Sequence, residues 1–238
     1  MKQMSLEEKV QRALDYQEVQ NVASLHEYYH SALMHKEEYE TIWSKTRDDI
    51  SWTNNNQRMP NRKAVHKFYV EQIVNDKKMW LEALHKTRPD VEVKPENYGT
   101  GILWYHTLTT PVIQIAGDGK TAKGVWMSWG HVTNPTPDGF MATWASEKYG
   151  IDFIKEDGEW KIWHLHTFVD FYSPVNGSWT DPETNMAANK EKKGAFEPPR
   201  DPDYEYGQYY IGYSPTTKPV MEPKPPVPYY TFSETFSY

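Results

Sequence analysis

The spacing of apolar residues in this chain changes near Gly101, from the helical period of about 3.6 residues to the alternating period of a strand. Beyond that point, three turn signals divide the sequence: Asp118-Gly119, Pro137-Asp138-Gly139 and Asp157-Gly158. They separate four β-rich runs, at residues 102–116, 121–133, 140–156 and 159–172. Because loops this short join antiparallel neighbours, we predict a long-stranded meander that follows a set of helices. This order is typical of the α+β class, with the helices packed on one face of a curved sheet.

The first 35 residues predict one long helix, which begins with a capping box formed by Ser5 and Glu8. Its inward stripe is predicted from i, i+3 and i+4 spacing to contain Val22, Leu25, Tyr28, Ala32 and His35. Shorter helices are predicted at residues 37–45, directly after Pro60 and Asn61, and at residues 76–86. The short segment DDISW, between the first two of these helices, is predicted to be extended.

Length and composition exclude several classes of protein. A chain of 238 residues can form one domain with a real core, or one domain with an appendage. The net charge of −7 and the lack of a Lys/Arg-rich block disfavour nucleic acids and anionic membranes as partners. Zero cysteines exclude disulfides, thiolate zinc sites and cysteine nucleophiles. Without a long apolar segment or a secretory signal, we expect a cytoplasmic protein.

Aromatic residues make up 15% of the chain, so much of its apolar surface comes as large, flat rings. Such rings suit the walls around planar ligands, and they also suit subunit interfaces. Residues 173–238 are rich in both proline and tyrosine, whereas a solvated linker is usually poor in aromatics. We predict an extended C-terminal arm that docks on its own domain or on a neighbouring subunit. Such an arm argues for a sizeable subunit interface and therefore for a homo-oligomer.

Three segments carry a resemblance to a known family: YYHSALMHKEEYETIWSKTRDDISW, NRKAVHKFYVEQ and DGEWKIWHLH. Their order resembles the SnoaL-like branch of the nuclear-transport-factor-2-like fold, whose last hairpin reads D-G-x-W-x-I. The resemblance implies a cone-shaped α+β barrel, in which helices pack in a highly curved antiparallel sheet and leave a pocket open at one end. It covers about residues 5–172, within a predicted domain of residues 1–172. Residues 76–97 look like an insertion, and residues 173–238 lie outside the resemblance. Because related folds form dimers or trimers, the resemblance implies one of these two states.

The family includes scytalone dehydratase, bile-acid dehydratases, ketosteroid isomerase and a diarylpropane lyase, and the resemblance implies a container for a flat apolar molecule. The scytalone dehydratase pattern has two histidines on neighbouring strands. His106 and His131 match that pair across the Asp118-Gly119 hairpin. Three other positions depart from the pattern: Trp52 replaces a tyrosine, His35 replaces a helix aspartate, and Asp152 replaces an amide.

Elimination or isomerisation beside a carbonyl requires a base of near-neutral pKa and a donor to the developing oxyanion. We predict that one of His106 and His131 is the general base and that the other is the acid or the oxyanion donor. The alternative is that each is a half-buried histidine bonded to the backbone. His131 shares strand parity with Met127 and Trp129, which we predict to line the cone.

Three other side chains are candidates for acid–base or oxyanion roles. Tyr28 lies on the predicted inward stripe with His35 and is either an oxyanion donor or a core aromatic. Asp152 could orient a histidine or accept a proton, since a carboxylate buried in an apolar cone has a raised pKa. The alternative is that Asp152 lies at the surface. Glu147 and Tyr149 have the opposite parity from Asp152 and are predicted to face outward.

The predicted substrate-binding wall consists mainly of large side chains: Trp52, Trp104, Trp126, Trp129, Trp144, Met127, His164, His166 and Phe168. His164 and His166 share a face with Trp160 and Ile162 by simple alternation, so we expect them to line the pocket. Two imidazoles at i, i+2 can also chelate a metal. No carboxylate stands at a tell-tale spacing, so we expect no metal, and no nucleotide-binding motif implies a cofactor.

These observations predict a cofactor-independent lyase or dehydratase that acts on an aromatic or polycyclic small molecule. Histidine would abstract a proton. The resemblance implies that water would leave, as in scytalone dehydratase, or formaldehyde, as in the diarylpropane lyase. One alternative is a ketosteroid-type isomerase, which needs a carboxylate base beside a tyrosine. A second is a non-catalytic protein that binds an aromatic metabolite, and a third is an assembly module joined through residues 173–238.

Overall fold

The computed structural model of the chain describes residues 4–187 and 200–238. The described part contains the helices α1 (Leu6–Ser31), α2 (His35–Ile42), α3 (Arg62–His66) and α4 (Ile73–Thr87). A π-helical turn, Lys67–Gln72, joins α3 to α4 without a break. Two 3₁₀ turns lie at Pro95–Asn97 and Phe232–Glu234.

The strands of the described residues form one curved sheet. They are β1 (Ser51–Thr53), β2 (Gln57–Met59), β3 (Leu103–His106), β4 (Thr109–Ile115), β5 (Thr121–Thr136), β6 (Gly139–Glu156), β7 (Glu159–Pro174) and β8 (Glu205–Tyr206). The order across the sheet is β3-β5-β6-β7-β1-β2-β8, and β4 pairs with β5 beyond the end of β3. All pairs are antiparallel except β1 with β7. The predicted α+β class, with helices packed against a curved sheet, is confirmed.

The start of α1 is confirmed, but its end is not. Ser5 and Glu8 form the predicted capping box, in which each side chain bonds the backbone N–H of the other residue. The helix ends at Ser31, because Leu33 adopts a positive φ of 58°. His35 therefore begins α2 and is not the last residue of α1. Asn61 caps α3 through a bond from the Ala64 N–H, as the restart after Pro60 predicts.

The three predicted turns separate β4, β5, β6 and β7. The run at 102–116 forms two strands and not one, because Thr107 and Leu108 interrupt the extended conformation between them. Both β3 and β4 then pair with β5. This break places His106 at the end of β3, next to a short irregular segment that can border a pocket.

Helix α1 packs on one face of the sheet, which we call the inner face and define by Trp126, Ser128, Gly130 and Val132 of β5. The indole N–H of Trp126 donates to Gln20 on α1 at 3.0 Å. The buried residues of α1 are Asp15, Val19, Ala23, His26 and Glu27. The predicted inward stripe is therefore wrong at Leu25 and Tyr28, which are exposed, although Val22 packs against the core. Apolar spacing does not find this stripe, because three of its five buried residues are polar.

Residues 200–238 follow an extended path with little regular structure, and part of this segment, including Tyr210 and Tyr238, contacts the opposite, outer face of the sheet. None of the described helices combines the length and the apolar character needed to span a bilayer.

Candidate active site

The alternation of β5 decides which of the predicted residues face α1. Trp126 and Val132 are buried on the inner face, whereas Met127 and Trp129 are exposed on the outer face. The prediction that Met127, Trp129 and His131 line the cone is therefore wrong. Both faces of β5 carry tryptophan, so the sequence pattern does not distinguish them, and the position of α1 makes the choice.

His106 and His131 point to opposite faces of the sheet. In the β3–β5 register Tyr105 pairs with His131, and His106 pairs with Gly130. His106 is buried on the inner face, while His131 stacks on Tyr105 with ring centroids 5.0 Å apart on the outer face. The two imidazoles do not converge on one molecule, so the predicted His106–His131 pair is wrong. His106 pairs with the residue that precedes His131, and successive residues of a strand point to opposite faces of the sheet. Two histidines on neighbouring strands therefore need not face each other.

Gly130 makes room for the His106 ring. A Cβ added at Gly130 would lie 2.5 Å from Nδ1 of His106 and 2.9 Å from the carbonyl oxygen of Tyr105. Any side chain at this position would displace the imidazole from the inner face. Within the segment S-W-G-H-V, it is therefore Gly130, and not His131, that determines where the His106 ring lies.

A carboxylate on β6 lies beside His106. Nδ1 of His106 lies 3.3 Å from Oε2 of Glu147, and the Tyr149 hydroxyl donates to the same oxygen at 3.2 Å. Burial would lower the pKa of His106, but the charges of Glu147 and Glu27 outweigh it and raise that pKa above 6.5. Glu147 and Tyr149 were expected outside; both are buried on the inner face, so that prediction is wrong.

Glu27 on α1 is a buried carboxyl with no hydrogen-bond partner on either oxygen. Burial raises its pKa, although the nearby His26 and His106 oppose the shift. An unpaired buried carboxyl is costly, and such a group usually has a chemical role or a ligand. Sequence reasoning missed Glu27 because only the apolar positions of α1 were used to choose its inner face.

Glu27 and His106 border the same pocket, which has a volume of about 220 Å³. Its lining combines α1 with the segment around the break between β3 and β4: Ser24, Glu27, Tyr28, Ser31, Tyr105, His106, Thr107 and Leu108. Tyr28 lies at the rim with 75% of its surface exposed, so it is not the buried residue that the helix stripe predicted. A carboxyl and an imidazole from residues that border one small pocket can exchange protons with a molecule bound there.

Behind the pocket, α1 and α2 hold a buried ion pair. Nδ1 of His26 lies 2.7 Å from Oε1 of Glu38, and the Trp43 indole N–H donates to the same oxygen at 3.3 Å. Burial alone would lower the pKa of His26, but Glu38 and two other glutamates raise it to about 9. His26 is therefore charged at neutral pH, and the pair connects the two helices that frame the pocket.

Two further histidines of the same layer are neutral. Nδ1 of His30 lies 3.0 Å from Nε2 of His35, and the Trp104 ring stacks on His30 with centroids 5.5 Å apart. His30 also lies 5.4 Å from the ring of His106. Burial and the nearby Lys77 lower the pKa of His35 to about 3. His35 and Trp104 thus lie near His106 through contacts with His30, but neither is among the residues that line the pocket.

We expect His35 to make the protein less stable in acid. Its folded pKa of about 3 lies below the ordinary 6.5, so the unfolded chain takes up the proton first. The free energy of unfolding should fall below pH 6.5 by up to about 1.4 kcal/mol per pH unit from this group. Urea denaturation at pH 7 and pH 5 should show a smaller loss in His35→Gln than in the wild type. The surface variant His66→Gln is the control; equal losses in all three proteins would contradict the prediction.

Four predicted site residues lie together on the outer face: Asp152, His164, His166 and Phe168. In β7, Ile162 pairs with Phe153 but His164 pairs with Asp152, so Trp163 is an extra residue. This β-bulge reverses the parity after Ile162 and turns His164 and His166 away from the pocket. The prediction that they line it is therefore wrong, and Asp152, also on this face, is no partner for Tyr28.

The remaining predicted wall residues divide between the faces. Trp126 is buried against α1, and Trp52 stacks on Phe68 with centroids 4.7 Å apart. Trp144 lies 5.7 Å from Trp129 on the outer face. Of the predicted ring wall, only Trp104 lies beside the histidines of the site. Within residues 4–187 and 200–238, no three His, Asp or Glu side chains are arranged to hold a metal ion.

A wider depression of about 910 Å³ lies elsewhere, at the start of α3. Its charged residues are paired with one another: Lys63 and Lys67 contact Asp203, and Arg62 contacts Asp48. Because those charges are already compensated, the smaller pocket at Glu27 and His106 is the better candidate for chemistry.

The sequence matches the family model described as a SnoaL-like domain over residues 11–166. No curated protein is similar enough in sequence to match the chain. Among solved structures, a hexachlorocyclohexane dehydrochlorinase (LinA) of type 2 has a TM-score of 0.50 at 13% identity, covering 71% of this chain and 95% of its own. The type 3 enzyme from Novosphingobium barchaimii LL02 has a TM-score of 0.49 at 12% identity, covering 71% and 96%. An NTF2-like superfamily protein from Salmonella enterica serovar Typhimurium LT2 has a TM-score of 0.45 at 12% identity, covering 65% and 90%. At such identities the likeness concerns the fold alone.

Proposed function

We propose a function from one premise: this chain belongs to the SnoaL-like domain family. We infer that it is a lyase that removes a small group from a one-ring molecule, with Glu27 and His106 as its acid–base pair. One observation carries this proposal, namely that the unpartnered carboxyl of Glu27 and the imidazole of His106 border the same pocket. Proton transfer is chemistry that these two side chains supply without a cofactor.

Glu27 is the better proton acceptor of the two. Neither of its oxygens is engaged in a hydrogen bond, and burial raises its pKa, which makes the carboxylate a stronger base than one in water. In the elimination, Glu27 takes a proton from the carbon beside the leaving group. The electron pair of that C–H bond forms the new double bond.

His106 is the better proton donor. Glu147 raises the pKa of His106 and thereby favours the imidazolium, and the Tyr149 hydroxyl holds Glu147 in place. The imidazolium gives its proton to the departing hydroxyl oxygen, which leaves as water. Transfer of the proton from Glu27 to His106, through a water in the shared pocket, restores the starting state. This assignment replaces the sequence-based one, in which histidine was the base.

The same pair can release formaldehyde from a hydroxymethyl group. Glu27 would then take the hydroxyl proton, the C–C bond would break, and His106 would protonate the carbon that remains. Loss of water and loss of formaldehyde differ in the substrate that is bound and not in the residues used.

The size of the pocket restricts the substrate. A cavity of about 150 Å³ lined by apolar side chains holds benzene, so a pocket of about 220 Å³ accommodates one ring with substituents. We therefore propose a one-ring substrate and not a polycyclic one. A fold relative is named for removing hydrogen chloride from hexachlorocyclohexane, an elimination on a one-ring compound.

An isomerase remains the second candidate, because a carboxylate base is what that reaction needs. The expected pair of Asp152 and Tyr28 does not occur, but Glu27 can serve the same purpose. An isomerase would return the proton to another carbon and leave the mass of the substrate unchanged.

A panel of one-ring β-hydroxy carbonyl and hydroxymethyl compounds tests the proposal. Absorbance should report the new conjugated double bond where water is lost, and mass spectrometry should show the loss of one water or one formaldehyde. Unchanged mass with a shifted double bond would indicate the isomerase, and binding without any product would indicate a carrier.

His106→Ala should lower the rate by at least about 10²-fold. His131→Ala is the matched control, because His131 lies on the outer face, and it should keep the wild-type rate.

A further inference from the structure

A second buried polar cluster lies on the outer face, on the far side of the sheet from Glu27 and His106. Lys123 of β5 pairs in register with Asp152 of β6, and Asp152 pairs with His164 of β7. Lys123 and Asp152 form an ion pair, and both are completely buried. Nδ1 of His164 lies 2.9 Å from Oδ2 of Asp152. Burying these charges is costly unless their hydrogen bonds are completed.

Residues 229–238 of the same chain complete those bonds. Lys123 donates to the carbonyl oxygen of Phe236 as well as to Asp152. Oδ2 of Asp152 accepts from the Ser237 hydroxyl at 2.9 Å and from the Tyr238 N–H at 3.0 Å. The Ser237 hydroxyl also lies 2.9 Å from Nδ1 of His164. Backbone and side chain of this segment are therefore both recognised.

Aromatic rings of the segment enclose the ammonium group of Lys123. Its Nζ lies 5.0 Å from the ring centroid of Phe232, 4.6 Å from that of Phe236 and 4.4 Å from that of Tyr238. The Phe232 ring also packs on Trp163, the bulge residue, with centroids 4.4 Å apart. The three rings of the segment thus pack on two side chains of the sheet, Lys123 and Trp163.

The sheet has a space shaped for one of these rings. A Cβ added at Gly150 would lie 2.5 Å from Cδ1 of Tyr238, so only glycine allows the ring to lie over β6. At the other end of the segment, the N–H groups of Gly117 and Asp118 donate to the carbonyls of Tyr229 and Tyr230 at 2.9 and 3.1 Å. The Tyr229 hydroxyl lies 3.2 Å from the hydroxyl of Thr121.

We propose that Lys123, Asp152, His164 and Gly150 form a peptide-binding site on the outer face, which binds residues 229–238 from a second copy of this chain as well as from its own. The contacts that seat the segment are made mainly with the sheet and would be the same in either arrangement. Upstream of this segment, residues 215–221 are exposed, with Val220 at 68% and Met221 at 75%, whereas Pro223 and Pro226 nearer to it are buried. An exposed connection of this kind lets the segment leave one sheet and occupy another. The Pro/Tyr-rich arm predicted from the sequence would then link subunits.

A cleavable full-length chain tests the site directly. A protease site inserted between Val220 and Met221 cuts the exposed connection in the folded protein. We expect the released fragment to stay bound in gel filtration and to be displaced by an excess of a labelled synthetic peptide of residues 229–238. If the labelled peptide does not bind the cleaved protein, while circular dichroism shows that the protein remains folded, the proposal is overturned.

Two peptide variants form a matched pair. Ser237→Ala removes the contacts with Asp152 and His164 and should weaken binding about tenfold or more. Ser233→Ala removes only a contact with Thr231, inside the segment, and should change binding little. Equal effects of the two substitutions would show that Asp152 and His164 do not recognise the Ser237 hydroxyl and would overturn the proposal.

Sedimentation of the intact chain tests the second copy. The fraction of dimer or larger assembly should rise with protein concentration, and Gly150→Ala should reduce it because the added Cβ excludes Tyr238. An intact chain that stays monomeric at every concentration overturns exchange between copies. This result does not depend on activity, since Glu27 and His106 lie on the other face.

Discussion

Glu27→Gln is expected to lower kcat by about 10²- to 10⁴-fold on the substrate that the wild type converts. Glutamine keeps the size of the side chain but cannot accept a proton from carbon. Both oxygens of Glu27 lack hydrogen-bond partners, so the substitution breaks no bond of the folded protein. Activity should therefore fall while stability is kept or increased, because a buried carboxyl without a partner is costly.

Glu18→Gln is the matched control for this prediction, since Glu18 is exposed on the same helix. It should leave kcat and the free energy of unfolding unchanged. Full activity of Glu27→Gln would remove Glu27 from the mechanism and with it the proposed acid–base pair.

The wild-type rate should also show a bell-shaped pH profile, because Glu27 must be ionised and His106 protonated. Its lower limb should lie above the usual pKa of a glutamate and its upper limb above that of a histidine, following the two raised pKa values.

Glu38→Ala is expected to destabilise the protein by about 3–5 kcal/mol, the usual cost of removing one partner of a buried ion pair. Glu38 is completely buried, and its carboxylate bonds both His26 and Trp43. Its loss leaves a buried imidazole and a buried indole N–H without their acceptor. Urea denaturation at pH 7 measures the change in the free energy of unfolding.

The control for Glu38 is Glu40→Ala on the same helix. Glu40 makes an exposed ion pair with Lys36 at 3.8 Å, which contributes about 0.5 kcal/mol at most.

The pH dependence of the free energy of unfolding gives a second test of the His26–Glu38 pair. Because the folded pKa of His26 is raised to about 9, its stabilisation is complete below pH 6.5 and is lost as the pH rises through 9. That loss, on the order of 3 kcal/mol in the wild type, should be much smaller in Glu38→Ala; similar losses in both proteins would contradict the role of the pair.

Most of the fold was predictable from local patterns. The capping box at Ser5, the cap at Asn61 and the three Asp-Gly turns are short sequence signals with a direct backbone cause. Two elements were missed for equally local reasons. Leu33 ends α1 through a positive φ that its sequence does not predict, and the run at 102–116 contains a break that alternation does not reveal.

The candidate site was predictable only in part. His106, His35 and Trp104 were named from the sequence and lie together beside α1. Glu27 and Glu147 were missed or placed on the wrong face, because a buried carboxyl has no apolar signature. One signal could have found Glu27. The positions Val19, Ala23 and Glu27 follow at i+4 spacing, so an inner stripe that admits polar residues would have included it.

The sequence by itself determined the class of the fold and the order of its main helices and strands, since these follow from periods, caps and turns between near neighbours. The family followed from the resemblance of three segments and from the family model that matches residues 11–166. Only the tertiary structure decided which face each strand turns to α1. That choice depends on the packing of α1 against a particular row of β5 and on one extra residue, Trp163, which reverses the parity of β7. It also decided which charges are paired, because the partners of Lys123, Asp152 and His106 lie on other strands or in the arm. A contact between residues far apart in the chain leaves no local pattern, and so the site, unlike the fold, required coordinates.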